Sequence, residues 1–451
     1  MANDQIELIP VREDFVPKDV YLSEKFARLE KEYLWPKVWQ VVCREEEIPR
    51  VGDYVTYEVL DESFVIVRTD AETIKAYHNV CQHRGRRLVE GCGRKARLRC
   101  RFHGWTWNLD GSLAEVLDRS DWDGCEDMSD ADLALKEPLI DFWQGFVFIN
   151  MDSNAEPLEK YLDPVPSYCD GFEFSKMRFH WSKSVRLPCN WKVALEAFNE
   201  GYHVAATHPQ LLDTVGDDRT VSFAFNKHGM FGYFEGTRPL GTPSPRTGKP
   251  VPDDIRPGLI QYIDQIDKTL NAIITHRDAA ASRRLMTDAS ADDDPMELLG
   301  KLAGFMQEAA VADGAGWPDM SFEDVYKAGT DWHVFPNFVF LPYPDGALFY
   351  RSRPDGDNPD SCIYDIWALA RFAPGAEPEL KHEKFYGKDD WREQDNFGLI
   401  LTQDFQNMHN VQRGMKSSGF SGARTNPKQE KVLSNFHKVL IENYLNGEAS
   451  K

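Results

Sequence analysis

The 451 residues carry 52 basic against 73 acidic side chains, a net charge of −21. Such a chain excludes nucleic acid as the main partner, because phosphate binding needs a basic surface. A content of 42% hydrophobic and 28% charged residues is that of a globular protein with room for two domains. No apolar run reaches the about 18 residues of a membrane helix. The start is acidic, with Asp4, Glu7, Glu13 and Asp14 and no apolar core, which argues against a signal peptide. A cytoplasmic location is therefore expected, where thiols stay reduced.

Residues 21–34 read as a helix with Ser23 as N-cap, inside an N-terminal helical segment 1–37. From Val38 the texture turns to β, with strands expected over 38–42, 54–59 and 64–67 between acidic and Gly-containing turns. Asn108-Leu-Asp-Gly111 reads as a hairpin turn and 145–150 as a strong strand, so an all-β domain is expected over 38–155. The pattern over 156–451 is mixed. Asn190 caps a helix over 191–200, and a Pro/Gly-rich loop covers 238–258. Helices follow at 259–277 and 295–312, strands at 332–341, 347–353 and 362–372, and helices at 390–415 and 429–445. There is no internal repeat.

Two short motifs lie within the β region: Cys81-Gln-His83 and, after sixteen intervening residues, Cys100-Arg-Phe-His103. Two thiolates and two imidazoles can hold the two irons of a [2Fe–2S] cluster, or a tetrahedral zinc. Cys43, Cys92, Cys125, Cys169, Cys189 and Cys362 read as ordinary buried or loop thiols. Between Arg84 and Arg101 stand eight basic residues and one acid, Glu90; this window is +7 and leaves −28 for the rest. It can be a solvated face, a docking field for an acidic electron donor, or a contact for the acidic surface of a neighbouring protomer.

A second cluster is Glu200-Gly-Tyr-His203-Val-Ala-Ala-Thr-His208-Pro209. On an ideal helix residues five apart point about 140° away from each other. Both histidines reach one metal only if the helix ends between them, and Pro209 pushes His208 out of helical geometry. Two imidazoles and one carboxylate with open positions form the facial triad of non-haem Fe(II) oxygenases.

The cysteine–histidine loops, with their following Gly85 and Gly104-Trp105, resemble those of the bacterial Rieske ring-hydroxylating oxygenases. Asn190-Trp191-Lys192 followed by Glu200-x-x-His203-x4-His208 resembles the catalytic part of their large subunit, in the same order. The respiratory Rieske proteins are set apart by an extra cysteine in each loop, which this chain lacks, and by a membrane anchor. The resemblance implies an α+β fold: an all-β Rieske domain, then a catalytic domain with an antiparallel sheet flanked by helices, of helix-grip type. It implies a [2Fe–2S] cluster on Cys81, His83, Cys100 and His103, and a mononuclear Fe(II) on His203, His208 and a late Asp. The matching segment makes that residue Asp404, with Asp390 and Asp395 as fallbacks. Gly85 and Gly104 are expected to let backbone N–H groups approach the sulfurs.

Glu200 occupies the place of the acid that carries electrons between a cluster histidine of one subunit and an iron histidine of the next; many members have Asp there. Asn199 and Tyr202 are expected to shape the surroundings of this bridge. Of the other histidines, His409, beside Asp404 in sequence, is the one most open to a functional role. O2 is the implied co-substrate. The chain has no dinucleotide fingerprint, so NAD(P)H is expected to act only indirectly, through a reductase or ferredoxin. The implied assembly is a homotrimer or α3β3 with a small β subunit. The leading expectation is cis-dihydroxylation of an aromatic compound; the alternatives are a monooxygenase or O-/N-demethylase and, from another class, a non-catalytic Rieske electron carrier. Phe198, Phe335, Phe338, Phe340, Phe349 and Phe405 are candidate pocket walls, and Arg351, Arg353 and Arg371 candidates for an anionic substrate. Much of the specificity is expected within 209–330.

Overall fold

The computed structural model describes residues 12–216, 219–233 and 238–446. The described residues form two compact units: Leu34–Tyr161, and those from 12 to 33 together with those from 162 to 446. The boundaries expected at 37/38 and 155/156 thus fall at 33/34 and 161/162. Of the segment expected over 1–37, residues 1–11 lie outside the described residues, and residues 12–33 belong with the larger unit.

The smaller unit is all-β. Its antiparallel strands form a sheet of order Ile74–His78, Glu62–Arg68, Asp53–Val59, Cys92–Arg94 and two three-stranded sheets. Alternation in 53–59 and 62–68 buries Val65, Val67 and Tyr54 around Trp105, Trp107 and Tyr77. The Asn108–Gly111 turn links Thr106–Trp107 to Leu113–Glu115. Gly111 has φ +85°, and a Cβ there would meet the Tyr77 ring at 2.4 Å, so only glycine fits.

The larger unit is built on an eight-stranded sheet. In chain order its strands are β1 (Arg178–Leu187), β2 (Val221–Phe225), β3 (His228–Gly232), β4 (Asp331–Val334), β5 (Phe338–Pro342), β6 (Gly346–Asp355), β7 (Asn358–Ala370) and β8 (His382–Phe385), and they lie in the order β2-β3-β4-β5-β6-β7-β1-β8. All neighbours are antiparallel except β1 and β8. β6 is buried without interruption from Gly346 to Ser352, so both faces of the sheet are covered. The expected strand 332–341 is two strands, and β1, β2 and β3 were missed; burial along β1 and β2 is irregular, while the short β3 is buried throughout but holds two glycines and a histidine among its five residues. The expected helix 259–277 stops at Leu270, where Asn271 turns left-handed, and a new helix begins at His276.

Three helices carry the site: α1 (Trp191–Glu196), α2 (Val204–Thr207) and α3 (Gln394–Met415). The Asn190 side chain accepts from the Lys192 amide and caps α1. Its Nδ2 also donates to the carbonyls of Tyr21 and Pro359, and its own amide donates to Gln412 on α3. The helix expected over 191–200 ends early, at Glu196, so His203 does not project from its last turn. The helix expected over 21–34 is also broken. Ser23 accepts from the Phe26 amide at the start of Glu24–Leu29, and a wider turn follows over Glu30–Leu34.

That wider turn holds Glu30 fully inside. Its carboxylate accepts from Lys192 Nζ at 2.7 Å and from Trp191 Nε1 at 3.2 Å. Burial pushes the Glu30 carboxyl up and the Lys192 ammonium down, and their mutual attraction only partly offsets it. Among the described residues no helix is long and apolar enough to cross a membrane. Removing one partner of a buried pair strands the other charge, so Glu30→Ala should lose about 3–5 kcal/mol of stability. Chemical denaturation should show that loss, and the double variant Glu30→Met/Lys192→Met should recover most of it.

Candidate active site and metal centres

The two loops of the smaller unit close in the same way. The Cys81 amide donates to the Arg86 carbonyl and the Gly85 amide to the Cys81 carbonyl; the Cys100 amide donates to Trp105 and Gly104 to Cys100. Gly85 and Gly104 have φ +72° and +76°. The glycines close the two turns, and backbone amides within those turns approach the sulfurs. The amides that approach Cys81 Sγ are those of His83 and Arg84, and those that approach Cys100 Sγ are those of Phe102 and His103. Burial raises the Cys81 thiol. At Cys100 burial acts in the same direction, but these amides, Cys81 and Arg86 bring it below its ordinary value.

The histidine stands two residues after Cys81 and three after Cys100, yet the His83 and His103 rings meet at 4.6 Å. His83 lies flat on Trp105 at 4.8 Å. Its Nδ1 is buried with no hydrogen-bond partner, an orphaned atom that a metal would satisfy. Arg84 donates to His103 Nε2 at 2.7 Å. Paired thiols on one side and paired imidazoles on the other fit a [2Fe–2S] cluster. Beside Cys100 and His103 lies a groove of about 770 Å³ lined by Arg86, Lys95, Arg97, Arg99 and Arg101, with Glu90 as its one acid. Within the basic window, Arg84 is engaged by His103 and Arg87 by Glu58 at 2.5 Å.

In the larger unit His203, His208 and Asp404 offer donor atoms within 4.8 Å of one another. α2 is a single turn between the two histidines; His203 caps its start, and His208 leaves it at φ −119°, ψ 55° before Pro209. Asp404 sits on the buried face of α3 with Leu401, Met408, Gln412 and Met415, spaced three and four apart. That helix is broken at Gly398, with φ +80° and the Thr269 carbonyl 2.3 Å from where a Cβ would be.

Each imidazole is oriented from behind. His203 Nδ1 donates to Glu200 Oε1 at 2.8 Å, and Glu200 Oε2 accepts from the His203 amide at 3.0 Å. His208 Nδ1 donates to Gln403 Oε1 at 2.9 Å, which Gln210 also approaches at 2.8 Å. Both Nε2 atoms then face Asp404 Oδ1, at 3.7 and 3.0 Å. This donor set fits one divalent ion with its ligand histidines fixed by hydrogen bonds. Gln403 and Gln210 were missed; a glutamine beside a ligand carries no signal in one sequence.

Glu200 is buried with both oxygens on His203. Asn199 is buried with both side-chain polar atoms unpaired. Tyr202 is 52% exposed and does not enclose the triad. Asp390 accepts from the Gly387 amide and Asp395 is exposed, so neither joins the group. His409 packs on Trp391 at 5.1 Å.

Strand register divides the aromatic candidates. Trp332, Phe340, Phe349 and Trp367 share one face, with Phe338 and Arg351, and there Phe174 stands edge-on to Phe340 and Phe349. The opposite face carries Asp331, His333, Tyr350 and Tyr364, and meets Phe198 at 4.3 Å from Tyr350 and 5.5 Å from Tyr364. Phe405 of α3 approaches Tyr364 at 6.1 Å. Phe338, Phe340 and Phe349 therefore lie on the wrong face to wall the triad, and Phe335 packs on Phe436 and Tyr444. Phe198 and Phe405 are on the right side. Tyr350 and Tyr364 were missed. Arg351 and Arg353 bind Asp365, and Arg371 binds the Phe172 and Pro344 carbonyls, so none is free for an anion at the triad.

Residues 174–446 match the family model of the ring hydroxylating alpha subunit (catalytic domain), and residues 38–121 that of the Rieske [2Fe-2S] domain. The chain belongs to the Rieske ring-hydroxylating oxygenase large-subunit family, with its α+β fold and its cofactor pair of Rieske cluster and non-haem iron. It is 33% identical over 241 residues to the carnitine monooxygenase oxygenase subunit of Escherichia coli (strain K12), a match over 49% of this chain and only 62% of that one. Its fold is that of a quaternary ammonium Rieske monooxygenase solved with L-carnitine (TM-score 0.64, 20% identity, 97% of this chain and 99% of that one). A naphthalene 1,2-dioxygenase with bound indole is equally similar (TM-score 0.64, 18% identity, 96% and 93%).

Two outcomes test the triad. His208→Ala and Asp404→Ala should each lower iron content to that of the cluster alone, by metal analysis, with the reduced cluster's EPR signal unchanged. In metal-free protein burial pulls the His203 pKa down, but Glu200, Asp404 and Glu430 outweigh it and raise it to about 9. The ordinary value is about 6.5. The stability His203 gains as a cation is therefore complete below about pH 6.5 and lost as pH rises toward 9. A melting-temperature profile of the metal-free protein should show that decline, and Glu200→Gln should move it to lower pH.

Proposed function

We propose that this chain is the terminal oxygenase of a multicomponent system and that it monooxygenates a quaternary ammonium compound. The observation that carries the oxygenase reading is the convergence of His203 Nε2, His208 Nε2 and Asp404 Oδ1, in a chain that also holds the four cluster ligands. The monooxygenase reading is supported by the 33% identical carnitine monooxygenase subunit. It replaces the aromatic dihydroxylation expected from the sequence, which the dioxygenase fold likeness supports only as a fold.

The overall step consumes a substrate C–H bond, O2, two electrons and two protons, and yields C–OH and water. The two metal groups, when bound, supply electron storage and O2 activation. The chain's residues do the rest. Glu200 and Gln403 hold the imidazole tautomers so that each Nε2 faces inward. The aromatic face of Phe198, Tyr350 and Tyr364 excludes water and positions the substrate. Hydroxylation at a carbon bonded to the ammonium nitrogen would give a carbinol that breaks down to an amine and an aldehyde.

Electrons come from a reductase or ferredoxin, for which the basic groove beside Cys100 and His103 is the docking field. Glu200 is the acid through which the electron passes from the cluster histidine of a neighbouring copy, in a homotrimer or α3β3 assembly. With both metals loaded and a reductase supplied, L-carnitine under 18O2 should give a product with one labelled oxygen. A doubly labelled diol from an aromatic substrate, with no turnover of quaternary ammonium compounds, would establish the dioxygenase instead.

A further inference from the structure

We infer that Asp331, on the sheet face that looks toward the triad, is the counter-ion for the substrate's cationic head and sets the specificity of this site. The inference rests on the quaternary ammonium reading and deepens it. Asp331 opens β4 and pairs with Phe231 across the strand. Register puts it on the same face as Tyr350 and Tyr364, the two rings against which Phe198 stacks. Phe231 reaches toward Gly201, within the Glu200–His203 motif, 3.5 Å from where a Cβ would be. Tyr350 and Tyr364 each feel the charges of both Asp331 and Asp404, so the two acids flank one aromatic group.

The carboxylate is 2% exposed, and its Oδ1 is buried without a hydrogen-bond partner. The acids of the triad and of the sheet beside it are answered: Asp404 by two imidazoles, Glu200 by His203 and Asp365 by Arg351 and Arg353. The two arginines lie with Asp365 on the far side of the sheet. The Tyr364 hydroxyl, on the same face as Asp331, is likewise buried and unpaired.

A buried polar group without a partner is rare in native proteins and calls for an explanation. A quaternary ammonium ion supplies one. It has no N–H to donate, so it is held by aromatic faces and by a carboxylate that needs no short hydrogen bond. Burial pushes the Asp331 carboxyl well above the usual range, with no cation among the described residues to oppose it. A positive charge brought beside it would hold it ionised. Asp404 cannot serve, because its oxygen is committed to the histidines.

The test is binding, measured by anaerobic calorimetry on the fully metallated enzyme, so that failure of turnover does not enter. The probes are choline and its uncharged carbon isostere, 3,3-dimethylbutan-1-ol. Wild type should bind choline at least tenfold more tightly than the alcohol. Asp331→Asn should weaken choline by roughly tenfold, the scale of a desolvated charge contact, and leave the alcohol within about twofold. Asp331→Glu should restore part of the preference. The cluster absorbance and melting temperature serve as folding controls. Choline binding unchanged in Asp331→Asn, or both probes weakened equally, would overturn the assignment of Asp331 and leave the quaternary ammonium reading standing. A wild type that does not prefer the cation overturns both.

Discussion

The larger unit is organised around a problem of convergence. Two imidazoles five residues apart cannot face one point from a regular helix, and the buried carboxylate that joins them needs positive charge or a donor opposite it. The chain meets the first condition by leaving helical geometry at Glu196 and re-entering for a single turn between His203 and His208. It meets the second by aiming both Nε2 atoms at Asp404, carried on the inward face of α3. Everything behind that point fixes direction. Glu200 and Gln403 set the rings, Asn190 ties α1 to α3, and Glu30 holds the start of α1 from the far end of the sequence.

Candidate ligands were the most legible part of the sequence, because metal chemistry restricts both residue type and spacing. Cys81-x-His83 and Cys100-x-x-His103 stand in one short window, and His203 and His208 stand beside a proline that explains their geometry. Asp404 needed the family resemblance, since one acid on an amphipathic helix has no distinguishing mark. The elements around the ligands were less legible. The chain beyond the break of α1 at Glu196 is held by a contact from further along the sequence: a Cβ on Gly201 would lie 2.6 Å from the Thr220 methyl. Glu30 looked like any exposed helix acid, and only the fold shows that its partner is Lys192.

The aromatic residues illustrate the limit most clearly. Phe338, Phe340 and Phe349 stood among the candidate pocket walls, while Tyr350 and Tyr364 did not. Which of them faces the triad depends on a parity that runs across four strands, from β4 to β7. A shift of one position in any pairing would turn over the strands on one side of it and mix the two sets. The same parity puts Asp331 on the face that Phe198 meets and Arg351 on the other, so which charge stands on each face is decided by register.

The order of the units along the chain bears on how the protein is made. The smaller unit, Leu34–Tyr161, is an insertion: the chain begins the larger unit, leaves it and returns. During synthesis all of the cluster loops have emerged before Trp191 and Lys192 exist, so the β unit can complete itself early. Glu30 emerges before the cluster loops and waits more than a hundred residues for the lysine that neutralises it. The helix that bears Asp404 arrives later still. The unit that carries the two cysteine–histidine loops can therefore acquire its structure while the unit that carries His203, His208 and Asp404 is still incomplete.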